Sequence, residues 1–170
     1  NRARQYGKTT TLNMLVKYLK DQYTVFFISF EGLGESAFES ESAFCRTLCE
    51  LLYDTVIYEE VPTLDEKVKQ VIIDSVKQNK IEDMMSLSNL ISDICRNSEI
   101  PVVLMIDEVD QASNHKVFID FLGMLRSKFL KRNTRPVFQS VILAGVYDIK
   151  NLKHRIREDY EHQMNSPWNI

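Results

Sequence analysis

Pro101-Val102-Val103-Leu104-Met105-Ile106-Asp107-Glu108 joins five consecutive apolar residues to a pair of carboxylates. An apolar run without polar alternation is the pattern of a strand covered on both faces, as in the middle of a parallel sheet. Two further runs are of the same kind. Thr24-Val25-Phe26-Phe27-Ile28-Ser29-Phe30 is closed by Gly32 and Gly34, and Phe138-Gln139-Ser140-Val141-Ile142-Leu143-Ala144 forms the third. Between them the apolar period changes from strand-like to helical. Leu12, Leu15, Val16 and Leu19 share a helical stripe, as do Phe44, Leu48, Leu51 and Leu52 behind a capping box expected at Ser36 and Glu39. Thr63 with Glu66 opens an element carrying Val68, Val71, Ile72 and Val76; Ser86 is placed to cap one with Leu87, Leu90, Ile91 and Ile94. Asn114 is expected to start a helix holding Phe118, Phe121, Leu122 and Leu125. Helices that separate apolar strands imply a parallel sheet with right-handed crossovers, a three-layer α/β domain.

Composition fits one soluble domain spanning 1–170. The 170 residues are 44% apolar, and 21 Lys+Arg stand against 24 Asp+Glu for a net charge of -3. That length suffices to bury a core. The mild acidity argues against a dedicated nucleic-acid binder, which carries a strongly basic face. No stretch approaches the roughly 18 apolar residues of a membrane span, and Asn1-Arg2-Ala3-Arg4 carries no signal-peptide pattern, so a cytoplasmic setting is expected. Cys45, Cys49 and Cys95 are an odd, sparse set far in sequence from His115, His154 and His162. They read as small core side chains in a reducing compartment rather than as metal ligands.

Gly7-Lys8-Thr9-Thr10-Thr11 stands directly before the first helical stripe. Backbone N–H groups at a helix N-terminus lack internal partners and, with the helix dipole, favour an anion. Gly7 allows close backbone approach, Lys8 can reach β- and γ-phosphates, and the Thr9 hydroxyl can ligate Mg2+. The full G-x-x-x-x-G-K-[ST] pattern would begin with glycine at position 2, where this chain has Arg2. A bare Gly-Lys-[Ser/Thr] arises by chance in about one chain in ten of this length, so the segment alone does not separate a phosphate loop from an ordinary helix start.

The carboxylates after the central strand supply the second half. Ligands of open α/β sheets bind beyond the carboxyl ends of the strands, where Asp107 and Glu108 fall. Asp107 would hold the Mg2+ shell, through water, and Glu108 would polarise the water that attacks the γ-phosphorus. Read singly, the pair could be a charged turn leaving a strand. Together with Gly7-Lys8-Thr9 it points to a P-loop nucleotide-binding domain, and the second carboxylate favours ATP hydrolysis. No Asn/Thr-Lys-x-Asp guanine-reading signal appears in the strand–loop segments, which also favours ATP.

Arg2-Ala3-Arg4-Gln5-Tyr6-Gly7-Lys8-Thr9-Thr10-Thr11-Leu12, Leu104 to Asp110 and Val141 to Val146 together resemble the bacterial AAA-like ATPases, P-loop proteins near the STAND and archaeal-ATPase groups. That group commonly carries an Arg-rich loop before Gly-Lys-[Ser/Thr]. The resemblance implies a P-loop NTPase fold in which the third strand lies between the P-loop strand and the Asp107 strand. It implies Lys8 and Thr9 as nucleotide and Mg2+ residues, and Asp107 and Glu108 as the metal and catalytic carboxylates. Relatives often end the third strand with a polar residue; here Ala144-Gly145-Val146 offers none, with Tyr147 and Asp148 just beyond.

The site expected from these residues has Glu108 and Lys8 as catalytic groups, Gly7, Lys8, Thr9, Thr10 and Arg4 around the nucleotide, and Thr9 and Asp107 on the metal. The cofactors are ATP and Mg2+. The function expected is Mg2+-dependent ATP hydrolysis that drives or switches an attached effector domain, or acts within a homo-oligomer. The alternatives are a nucleotide-gated switch with slow or no turnover, and a degenerate P-loop domain serving as an interaction module. Arg126, Lys128, Lys131, Arg132 and Arg135 are expected to complement the end of the Asn114 helix, and Lys150 to Arg157 to form a solvated face balanced by Glu158, Asp159 and Glu161. Asp110 reads as a residue approaching the next helix. The sequence starts six residues before Gly7, so the strand feeding the loop and the last strand of the sheet are expected to be missing from a truncated domain. The 138–144 strand would then have an exposed edge, and the loop would be disordered or distorted without a ligand.

Overall fold

The computed structural model describes residues 7–145. Their order is α1 (Lys8–Leu19), β1 (Thr24–Ser29), α2 (Glu41–Tyr58), α3 (Glu66–Lys77), α4 (Met84–Asn97), β2 (Val102–Asp107), α5 (Lys116–Leu130) and β3 (Ser140–Leu143), with short 3-10 turns at Glu35–Phe38 and Val109–Ala112. The fold is α/β, built on a three-stranded parallel sheet of order β1-β2-β3. The apolar Val102–Ile106 run is the central strand, buried along its whole length. The expected position of β3 next to the Asp107 strand is observed. Among the described residues β3 pairs with β2 alone, and beside it lies an apolar groove of about 420 Å³ lined by residues including Leu125, Phe129, Val137 and Val141. No helix among the described residues is long and apolar enough to cross a membrane.

The period-2 alternation of strand side chains distributes the core over both faces of the sheet. Phe26, Ile28, Leu104 and Ile106 enter a large cluster with residues of α2, α3, α4 and α5. At its centre Phe30 meets Phe118 edge to face with ring centroids 5.9 Å apart, and Phe44 meets Phe121 at 5.4 Å, geometries favoured by the ring quadrupoles. Val25, Val103 and Met105 point the other way, onto Leu12 of α1, with Leu15, Val16 and Leu19 packed around them.

Helix starts differ from the sequence expectation by a few residues, and each shift has a local cause. The cap of α2 is Ser40, whose hydroxyl accepts from Ala43 N at 3.1 Å; Ser36 lies within the preceding 3-10 turn. Thr63 is not a cap. Its hydroxyl donates to Tyr23 O at 2.9 Å while its own carbonyl accepts from Thr24 Oγ1 at 2.8 Å, tying the start of β1 to the approach to α3. Asp83 caps α4, and Ser86 is the third residue of a reciprocal capping box rather than the cap itself. The helix after β2 begins at Lys116, not Asn114. Beyond its last turn, where Lys128 sits, Arg132 lies 4.2 Å over the Phe129 ring.

The cysteines behave as core. Burial pushes the thiols of Cys45, Cys49 and Cys95 up to about 12, and all three are free. Thiols so raised are unreactive at neutral pH.

Candidate functional site

α1 begins at the expected motif. Gly7 precedes it with φ 66°, a left-handed conformation that a side chain would strain. A Cβ there would meet nothing within 4 Å, so the requirement is conformational, not steric. Among the described residues no side chain caps this helix. The Gly7 carbonyl accepts from Thr11 N and from Thr11 Oγ1, both at 2.8 Å. The first N–H groups of α1 have no partner within the helix, as at any helix start, which is the arrangement an anion site uses. Lys8 is half-buried, and the ion pairs among the described residues all involve other side chains. Thr10 is exposed beside it.

β2 brings the carboxylates to the same place. Asp107 is 2% exposed, yet both its oxygens are satisfied. Oδ2 accepts from Thr9 Oγ1 at 2.6 Å, and Oδ1 accepts from the Glu108 backbone N–H at 2.9 Å. The Asp107 carbonyl accepts from Phe30 N at 3.1 Å, closing the β1 side. Glu108 is half-buried and holds φ 52°, ψ 39°. A non-glycine residue in this region costs about 1 kcal/mol or more, and such residues concentrate at functional sites.

Thr9 and Asp107, 98 positions apart in the chain, thus touch directly. Gly7, Lys8 and Thr10 lie at the same helix start, and Glu108 adjoins Asp107. Arg4 lies outside the described residues, as do Tyr147, Asp148 and the 150–157 basic run. The expectation of a disordered or distorted loop falls largely on 1–6, also outside them. Among the described residues no group of three or more His, Cys, Asp and Glu is placed to hold a metal.

Two contributors escaped the sequence reading. Thr11 holds the Gly7 carbonyl, a back-bond open to threonine in a first helical turn. Gly145 packs against Val109 and Asp110 next to the carboxylates; only the tertiary structure reveals that approach.

A family model for an AAA-like domain matches residues 1–158. The chain belongs to the AAA-like domain family. Among curated proteins and among solved structures, none matches it. The AAA-like match extends over all the described elements, from the Gly7 helix start through the Asp107 strand to β3. Family membership supports a nucleotide-binding, ATPase-like module.

Proposed function

We propose that this AAA-like chain binds ATP with Mg2+ at Gly7–Thr10 and hydrolyses it, using Asp107 and Glu108, to drive or switch an attached effector domain. The observation that carries the reading is the 2.6 Å hydrogen bond from Thr9 Oγ1 to Asp107 Oδ2. It joins the hydroxyl of the phosphate-loop motif to the carboxylate of the central strand. With its hydroxyl hydrogen engaged on Asp107, Thr9 Oγ1 keeps lone pairs for another partner. Two hard oxygen donors suit Mg2+, which keeps several waters and takes its remaining ligands from phosphates rather than from a protein cage.

Each residue then has a chemical task. The first N–H groups of α1 receive phosphate oxygens, and Lys8 neutralises charge on the β- and γ-phosphates. Thr9 and Asp107 would hold the metal, which would supply Lewis-acid stabilisation of charge in the transition state. Glu108 takes the proton of the attacking water as the new O–P bond forms and the bond to the leaving diphosphate breaks. By the same reading residues 1–170 are part of a three-layer P-loop NTPase domain, close in motif to the STAND and archaeal-ATPase groups of bacteria. A cytoplasmic setting fits the three free thiols.

One feature favours a slower nucleotide-gated switch instead: β3 leads into Ala144 and Gly145, which offer no polar side chain to the reacting phosphate. Turnover by Glu108→Gln separates the two. The hydrolytic reading expects ATP binding to persist and product formation to fall at least a hundredfold. Equal turnover in the variant and the parent overturns it.

A further inference from the structure

The turn that carries the two carboxylates is held by the backbone at the end of β3. Ala144 N–H donates to Ile106 O at 2.8 Å, and Ala144 O accepts from Val109 N–H at 3.0 Å. These two bonds bracket Asp107 and Glu108. With both ends of so short a span tied to one residue, the chain between them must reverse sharply. Glu108 does so at φ 52°.

The next residue is packed without slack. A Cβ on Gly145 would lie 2.9 Å from Val109 Cγ2, 3.0 Å from Asp110 Oδ1 and 3.1 Å from Asp110 Cγ. The two obstacles are not equivalent. The Asp110 contacts are with the carboxylate end of an unbranched side chain. Val109 is β-branched, stiff at χ1, and only 3% exposed within the large core cluster. It has nowhere to go, so any side chain at 145 displaces either the backbone of the Val109 turn or the Ala144 clamp.

We propose that Ala144 and Gly145 are the positioning element for Glu108, and that position 145 requires glycine because a larger residue would push the carboxylate out of register with the nucleotide. This rests on the hydrolytic reading of the site. Gly145 touches no substrate; it acts through Val109 on the residue before it. Gly7 and Lys8 lie at the start of α1, which neither hydrogen bond of the clamp engages, so the Mg2+-free part of nucleotide binding does not run through it.

The test is steady-state ATP turnover of the full chain for the parent, Gly145→Ala, Val109→Ala and the double variant, with ATP affinity and thermal unfolding measured alongside. Misplacement of a catalytic group by about 1 Å costs up to roughly a hundredfold in rate. Gly145→Ala is expected to lower kcat by about tenfold or more while Mg2+-free ATP affinity stays within about twofold. Val109→Ala removes the rigid obstacle, so the double variant should recover most of the kcat of Val109→Ala alone. Because contacting residues are non-additive in stability as well, the kcat loss counts only in a Gly145→Ala chain that thermal unfolding shows to be folded at the assay temperature. If Gly145→Ala does not fold, the folded double variant decides: turnover matching Val109→Ala supports the positioning role. A Gly145→Ala enzyme with full kcat, or a double variant as slow as Gly145→Ala, overturns it while leaving the hydrolytic reading intact. A parent chain that binds ATP without turnover overturns the hydrolytic reading itself, and the positioning role with it.

Discussion

On one face of the sheet Phe26, Ile28, Leu104 and Ile106 lie under four helices and a set of interlocking phenylalanines; on the other, Val25, Val103 and Met105 are covered by α1, with Leu12 its one buried residue. The same strands therefore face a thick core and a thin one. The thick face holds β2 and the turn after it, so Asp107 and Glu108 are presented by a rigid support. The thin face carries the helix whose first turn holds Gly7, Lys8 and Thr9. Among the described residues its side-chain hydrogen bond to the carboxylate pair is that of Thr9 to Asp107. On the proposed function, fold stability and ligand recognition fall to opposite faces, and substitutions should separate them.

The largest effect is expected in the thick core. Phe118 is fully buried and meets both Phe30 and Phe121. Phe118→Ala should cost about 3–5 kcal/mol in urea unfolding. A loss below about 1 kcal/mol would mean that the aromatic cluster does not organise this face. Leu12→Ala on the thin face should cost less, about 2 kcal/mol, because α1 can settle toward the sheet and shrink the cavity. The comparison is sharpened by a second readout: Leu12→Ala should weaken ATP binding, whereas a mild thick-face change such as Ile72→Val should leave it unchanged.

Smaller effects probe the helix starts. Ser40→Ala removes the α2 cap and should cost about 1 kcal/mol. The same change at Ser36, which does not cap α2, should cost measurably less. The smallest effect is a pH dependence. Hydrogen bonds from the Ser86 backbone and hydroxyl hold the Asp83 carboxyl below its ordinary value. A carboxylate with a depressed folded-state pKa contributes stability above its unfolded value, about 3.9, and loses it as pH falls through the folded one. Thermal melts of Asp83→Asn against the parent should therefore converge on the acid side and differ above about pH 4. Parallel curves over that range would contradict the assignment.

Much of this arrangement was legible beforehand, for identifiable reasons. Unbroken apolar runs announce strands covered on both sides, and the Val102–Ile106 run is the sheet's centre. Gly7-Lys8-Thr9 and Asp107-Glu108 were readable because each sits at the end of a regular element, where side chains converge. Caps were less legible because several candidates compete locally. Ser36 and Ser40 both precede α2, and only the path of the 3-10 turn between them chooses Ser40. Thr63 looked like a cap, but its hydroxyl is engaged by Tyr23, distant in sequence. Gly145 was illegible for the same physical reason: its importance is a close approach to Val109, and no short-range pattern encodes it.

The central claim is that Thr9 and Asp107 form the metal-facing half of an ATP site. Calorimetric titration of ATP into the full chain, with and without Mg2+, tests it most directly when run on the parent and on Asp107→Asn. The account predicts that Mg2+ tightens ATP binding to the parent and that this gain disappears in Asp107→Asn, while Mg2+-free binding survives. An identical Mg2+ gain in both proteins, or no ATP binding by the parent, would contradict it.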